Sequence, residues 1–199
     1  HAASCPQNGV NALNSVIQLF NGIDALRQHV TPDVRMHGII VKGGVAANIV
    51  PDEAVAQFYF RAATKETLDD ILEKVKRIAE GAALMTGATL EMERYEFPND
   101  NLVTNENLSE AFNENLRALG ITEIKPPKSS GSSDIGNVSH VTATIHPYIG
   151  VTDCPMVGHS VEMANSTITD KAHDRLLIAA LAMAYTGYDI ISKNINLED

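Results

Sequence analysis

Between residues 10 and 93 the apolar positions change period repeatedly, and that succession limits the fold more than any other feature of the chain. Val10, Leu13, Val16, Ile17, Phe20, Ile23 and Leu26 recur at helical spacing and form one stripe, as expected of a helix with one buried face. Pro32 breaks this pattern. Val34 to Val41 is rich in β-branched and apolar residues and ends at Gly43-Gly44, which reads as a strand. A loop, Val45 to Asp52, holds Asn48 and Pro51, and Ala54 to Arg61 reads as a second strand. A second helix follows, with Leu68, Ile71, Leu72, Val75, Ile78, Ala82 and Ala83 on its buried face. Thr67 and Asp70 have the spacing of a capping box, and Gly87 is placed to end the helix. Ala88 to Glu93 alternates like a third strand. The order α-β-β-α-β becomes a ferredoxin-like split unit if one strand precedes it. The expected fold is therefore an α+β unit of ferredoxin-like type with its first strand missing, and the polypeptide is expected to continue upstream of His1.

Pro98 to Val103 reads as a boundary, dividing the chain into residues 1–99 and 100–199. Beyond it, Leu108 to Leu119 is helical, Pro126 to Ser133 is a Pro- and Ser-rich loop, and Val138 to Ile149 reads as strand. Pro155 to Ser160 is loop and Ile168 to Ile191 a long terminal helix.

Composition excludes several classes of partner. The formal net charge is −10 with a pI near 5.1, and Lys74, Lys76 and Arg77 form no cluster able to neutralise phosphates. The longest apolar run, Leu176 to Tyr185, has about half the residues a bilayer span needs. Cys5 and Cys154 form no CxxC pair and are expected as free thiols in a reducing cytosol.

Three places could carry chemistry. Ser129 to Asn137, with Gly131, Ser132, Ser133, Asp134 and Gly136, is a small-residue loop. It is either a connector or a set of backbone N–H groups offered to an anion. His159 lies on a loop with Glu162 three residues on, and reads either as a surface histidine or as a metal ligand. His1, the Asn48 loop and Arg61 form the third place. Arg on a strand is usually solvated, although it can hold a carboxylate bidentately. The sequence has no HExxH, no His-x-Asp, no adjacent Glu pair, no GxSxG and no phosphate loop. His140, His146 and His173 match no single-chain zinc spacing.

Taken in order, several motifs resemble peptidase family M-twenty, the aminoacylases and carboxypeptidases, above all the branch of aminobenzoyl-glutamate hydrolases and dipeptidase-like amidohydrolases. These are His1-Ala2-Ala3 with Pro6, Gly9 and Asn11-Ala12-Leu13, then His37-Gly38-Ile39-Ile40, Gly43-Gly44, Asn48-Ile49-Val50-Pro51 and Arg61-Ala62. Gly131 to Ser139, Ile145-His146-Pro147-Tyr148 and Gly158-His159-Ser160 continue the match. The resemblance implies a dimerisation lid followed by the carboxy-terminal part of an α/β di-metal hydrolase domain. It implies two divalent metals per subunit, usually zinc with manganese or cobalt as alternatives, and a small-molecule amide substrate. The substrate would be a dipeptide, an N-acyl amino acid or an aminobenzoyl-glutamate-like compound. By the same resemblance His159 corresponds to a metal ligand and His1 to the lid histidine that polarises the scissile carbonyl of the partner subunit. Asn48 and Arg61 correspond to positions associated with the substrate carboxylate, and Ser133, Asp134, Gly136 and His146 to the substrate pocket. The family's other ligands and its general-base Glu have no counterpart in these 199 residues, which alone are expected to be inactive. A cytoplasmic homodimer without nucleic-acid or membrane partners is the expected setting. The competing expectation is a non-catalytic dimerisation or ligand-binding module derived from the same family.

Overall fold

In the computed structural model, which describes residues 1–126, 131–193 and 195–197, the chain forms two compact units, His1–Phe97 and Pro98–Asp199.

The first unit begins with a short 3₁₀ turn at Pro6–Asn8, followed by α1 (Ala12–Leu26), β1 (Arg35–Lys42), β2 (Val55–Arg61) and α2 (Lys65–Thr86). Asn11 caps α1 by accepting from the Asn14 N–H at 3.2 Å, which satisfies a donor that the first helical turn leaves over. The strands pair antiparallel, with Met36 opposite Phe60, Gly38 opposite Phe58 and Ile40 opposite Ala56 on one face. Arg35 opposite Arg61 and His37 opposite Tyr59 lie on the other, since side chains alternate along a strand. Both helices cover the first face. Ile23 of α1, Val34, Met36 of β1, and Ile71 and Val75 of α2 form the core, joined by Phe58 and Phe60. Ile23 and Met36 are each only 1% exposed, so this is where burial contributes most to holding the layers together.

Two expectations for this unit are corrected. α2 is capped by Thr64, whose side chain accepts from Thr67 N–H at 3.2 Å, and not by a box starting at Thr67. Thr67 is already in helical turn one, so its N–H is one of the donors needing a cap. Ala88 to Glu93 forms no strand among the described residues. Leu90 and Met92 are 39% and 55% exposed; alternation without a neighbouring backbone to pair with does not make a ladder. Gly87, by contrast, ends α2 in the left-handed region at φ 74°, its N–H donating to Ala83 O.

The second unit contains α3 (Glu106–Ala118), the short α4 (Ile135–Ser139) and α5 (Val161–Ser166), and the long α6 (Asp170–Lys193). Phe112 and Leu116 of α3 pack on Ala182 of α6, with Ile121, Ile124, Ile145 and Ile178 around them. Asn115 Nδ2 bridges the two helices by donating to Thr186 Oγ1 at 3.2 Å and Asp189 Oδ2 at 3.0 Å. Asn105 caps α3, accepting from Leu108 N–H at 2.8 Å, and its own N–H donates to Thr144 O at 3.0 Å. The strand expected over Val138 to Ile149 is absent: Val138 and Ser139 belong to α4, and 143–150 carries no regular element. Val141, Thr142, Thr144 and Ile145 have strand-forming side chains, but Thr144 meets Asn105 where a strand would meet a row of backbone groups.

Candidate functional site

The expected site residues fall into two groups, one within each unit. In the first, the amino-terminal segment lies along the loop between β1 and β2. Ala2 N–H donates to Asn48 O at 2.9 Å, and Ala12 N–H to Pro51 O at 3.0 Å. His1 is thereby held beside the Asn48 turn, and both residues are exposed. Ala3 N–H donates to His1 Nδ1 at 3.3 Å. A ring nitrogen that accepts carries no proton, so in neutral His1 the N–H is on Nε2. Arg61 is not brought to this pair. It ends β2, opposite Arg35, and the length of strand from Val55 places it roughly 20 Å along the sheet from the β1–β2 loop. Arg35 turns its guanidinium back onto Pro32 O and Val34 O, while Arg61 remains exposed. On the same face Tyr59 has its phenol pushed up to about 12, chiefly by a hydrogen bond with Glu96.

In the second unit, Ser133 and Asp134 form the turn that leads into α4. Gly136 N–H donates to Ser133 O and Asn137 N–H to Asp134 O, both at 3.0 Å. Gly136 is buried, Ser133 half-buried and Asp134 exposed. Ser129 and Ser130 lie outside the described residues. α4 is fastened to Pro98–Val103 by side chains. Asn137 accepts from Asp100 N–H at 2.8 Å and donates to Pro98 O at 3.1 Å. Ser139 Oγ accepts from Val103 N–H at 2.9 Å, and His140 Nε2 lies 3.0 Å from Asn101 O. The sequence reading placed Asn137 in the small-residue loop, Asn137 and Ser139 in the matched motif, and His140 outside any zinc spacing, but assigned none of them this fastening role; the only signal for it was a run of hydrogen-bonding side chains after Gly136. His146 is exposed, its ring stacked on Tyr148 with centroids 5.4 Å apart.

His159 has φ 57°, an uncommon backbone state for a residue with a Cβ. It directly precedes Ser160, which caps α5 by accepting from Met163 N–H at 3.1 Å. Further back on the same loop, Asp153 is bound by Lys171 of α6, which holds its carboxyl below the ordinary range. His159 is exposed, and among the described residues no three His, Cys, Asp or Glu side chains come together. One exposed imidazole does not make a two-metal centre, which needs several ligands for each ion. No helix among the described residues is long and apolar enough to cross a membrane.

The two-helix, two-strand unit with its amino-terminal arm has a known counterpart. Residues 1–85 match the peptidase dimerisation domain of family M-twenty. Similarity extends beyond this domain to the whole chain. It is 36% identical to the Xaa-Arg dipeptidase of Mus musculus and 35% identical to that of Homo sapiens, in each case over 100% of this chain. It is 33% identical, over 62% of its length, to a p-aminobenzoyl-glutamate hydrolase polypeptide of Escherichia coli. The chain spans about half the length of the two dipeptidases, 47% and 46%, and its match covers 26% of the bacterial hydrolase polypeptide.

Proposed function

We propose that these residues belong to a metal-dependent amidohydrolase that cleaves the amide bond of a dipeptide, an N-acyl amino acid or an aminobenzoyl-glutamate-like compound. The observation that carries this reading is the similarity to dipeptidases over the full length of the chain. The first unit acts as the dimerisation lid of a cytoplasmic homodimer, and the second is part of the catalytic domain. His159 supplies one ligand to a centre of two divalent ions, zinc or alternatively manganese or cobalt, whose other ligands come from outside these 199 residues. The metal supplies an acidified water.

His1 is assigned to the carbonyl oxygen of the scissile bond in the partner's site. With Nδ1 accepting from Ala3, the Nε2–H is the available donor. A donor aimed at that oxygen interacts more strongly as negative charge develops on it, so it lowers the barrier more than it tightens substrate binding. Asn48, adjoining His1, and Arg61, at the far end of the sheet, are assigned to the substrate's carboxylate. Their separation means that they would serve it from different subunits. Ser133, Asp134, Gly136 and His146 line the pocket.

The test uses the full product of the gene that encodes these residues. Metal content and hydrolysis of the three substrate classes are measured for the native protein and for His159→Ala. Two metals per subunit with turnover, both reduced together in the variant, are expected, because loss of a ligand removes affinity and water activation at once. A metal-loaded native protein that cleaves none of the three classes would leave a non-catalytic dimerisation module and sink the enzyme reading. A His159→Ala variant with full metal and turnover would remove His159 from the ligand set.

A further inference from the structure

We propose that Asn137 is a positioning residue, which holds the Ser133–Asp134 turn in its substrate-facing conformation by fastening α4 to Pro98–Val103. This rests on the assignment of Ser133 and Asp134 to the substrate pocket. Asn137 spends both ends of its amide on one short stretch of backbone, accepting from Asp100 N–H and donating to Pro98 O. Ser139 and His140, close behind it in sequence, bind Val103 N–H and Asn101 O. Three polar side chains of one short segment therefore occupy the backbone of a single stretch, Pro98–Val103. A strand neighbour would have used the same backbone groups for a ladder.

The approach is close as well as polar. A Cβ on Gly136 would stand 1.9 Å from Asp100 O, so no other residue fits while Pro98–Val103 stays in place. α4 has five residues and is too short to be stable through its own backbone bonds. Its conformation must come from this attachment. The attachment in turn fixes the turn before it, because the N–H groups of Gly136 and Asn137 hold the carbonyls of Ser133 and Asp134. Ser133 Oγ further accepts from Ile135 N–H at 3.3 Å. The chain of contacts runs from Asp100 through the Asn137 amide and the α4 backbone to Ser133 and Asp134.

The experiment compares native full-length protein with Asn137→Ala and Asn137→Asp by hydrogen exchange and by steady-state kinetics. Asn137→Ala loses both bonds; Asn137→Asp keeps the acceptor for Asp100 N–H and loses the donor to Pro98 O. Exchange of the amides of residues 135–138 should accelerate about tenfold in Asn137→Ala, the factor expected when the equivalent of one to two hydrogen bonds is lost. Amides of α3 should be unchanged. KM should rise about as much while kcat stays within about twofold, and Asn137→Asp should be intermediate in both measures. A merely structural residue would alter exchange and leave KM alone, and that outcome overturns the proposal. Unchanged exchange over 135–138 in Asn137→Ala overturns it too. If the native protein hydrolyses no amide, the functional assignment has failed, and the exchange result alone decides whether Asn137 holds the turn.

Discussion

The ring of Phe58 lies across the backbone of Gly38, its cross-strand partner, so closely that a Cβ on Gly38 would fall 2.3 Å from Phe58 Cε1. The glycine is a packing requirement here. Phe58 cannot simply rotate away, because it also meets Phe20 of α1 with ring centroids 4.7 Å apart and Phe60 at 5.7 Å. The missing side chain on β1 is thus what lets an aromatic residue on β2 reach α1.

Gly38→Val should destabilise the first unit despite the higher strand propensity of valine. Propensity favours Val by at most about 1 kcal/mol, whereas overpacking a fitted site costs about 1–3 kcal/mol. Chemical denaturation of the purified chain measures the balance. A midpoint equal to or above that of the native chain would mean that the aromatic cluster relaxes at no cost.

Acidification should weaken the first unit through Asp33. This carboxylate receives a hydrogen bond from the Thr31 side chain and another from Ala63 N–H, the latter at 2.8 Å, and its pKa is lowered. A carboxyl group with a folded-state pKa below its unfolded value stabilises the fold above the unfolded value, about 4. That stabilisation is lost as the pH falls through the folded value. Unfolding midpoints should therefore drop below about pH 4 more steeply in the native chain than in Asp33→Asn, which has no such proton to take up. Equal slopes would show that the loop bonds do not discriminate between protonation states.

Hybrid dimers test whether His1 acts across the subunit interface. Full-length subunits carrying His1→Ala are mixed with full-length subunits carrying His159→Ala. Each variant alone should be impaired, His1→Ala by on the order of 10²–10³ in rate. The hybrid should regain turnover at one of its two sites, where an intact His1 meets an intact metal set. Activity of the mixture no higher than the average of the two parents would place His1 in its own subunit's site or outside the chemistry.

The α-β-β-α core was legible because each of its elements buries a face. The period of Leu13, Val16, Phe20 and Ile23 and the run from Val34 onward are recorded in the sequence wherever a core selects side chains. Ala88 to Glu93 and Val138 to Ile149 misled for the complementary reason. Both have side chains suited to strands, but a strand also needs a partner backbone, and side-chain pattern carries no record of one. The Thr67 box misled by one turn, since Thr64 offers the same hydroxyl three residues earlier.

The order of the motifs pointed to the family by itself, since each small pattern is weak and their sequence along the chain is not. It also determined which residues to consider for a role, His1, Asn48, Arg61, Asp134 and His159 among them. Only the tertiary structure decided which of these are neighbours. It set His1 beside Asn48 through a single backbone bond from Ala2, left Arg61 at the other end of the sheet, and tied α4 to Pro98–Val103 through Asn137. The physical reason is that a side chain's chemistry is local and readable one residue at a time. Proximity between residues as distant in sequence as Asp100 and Asn137, or Ala2 and Asn48, depends on which backbone groups find one another when the core closes.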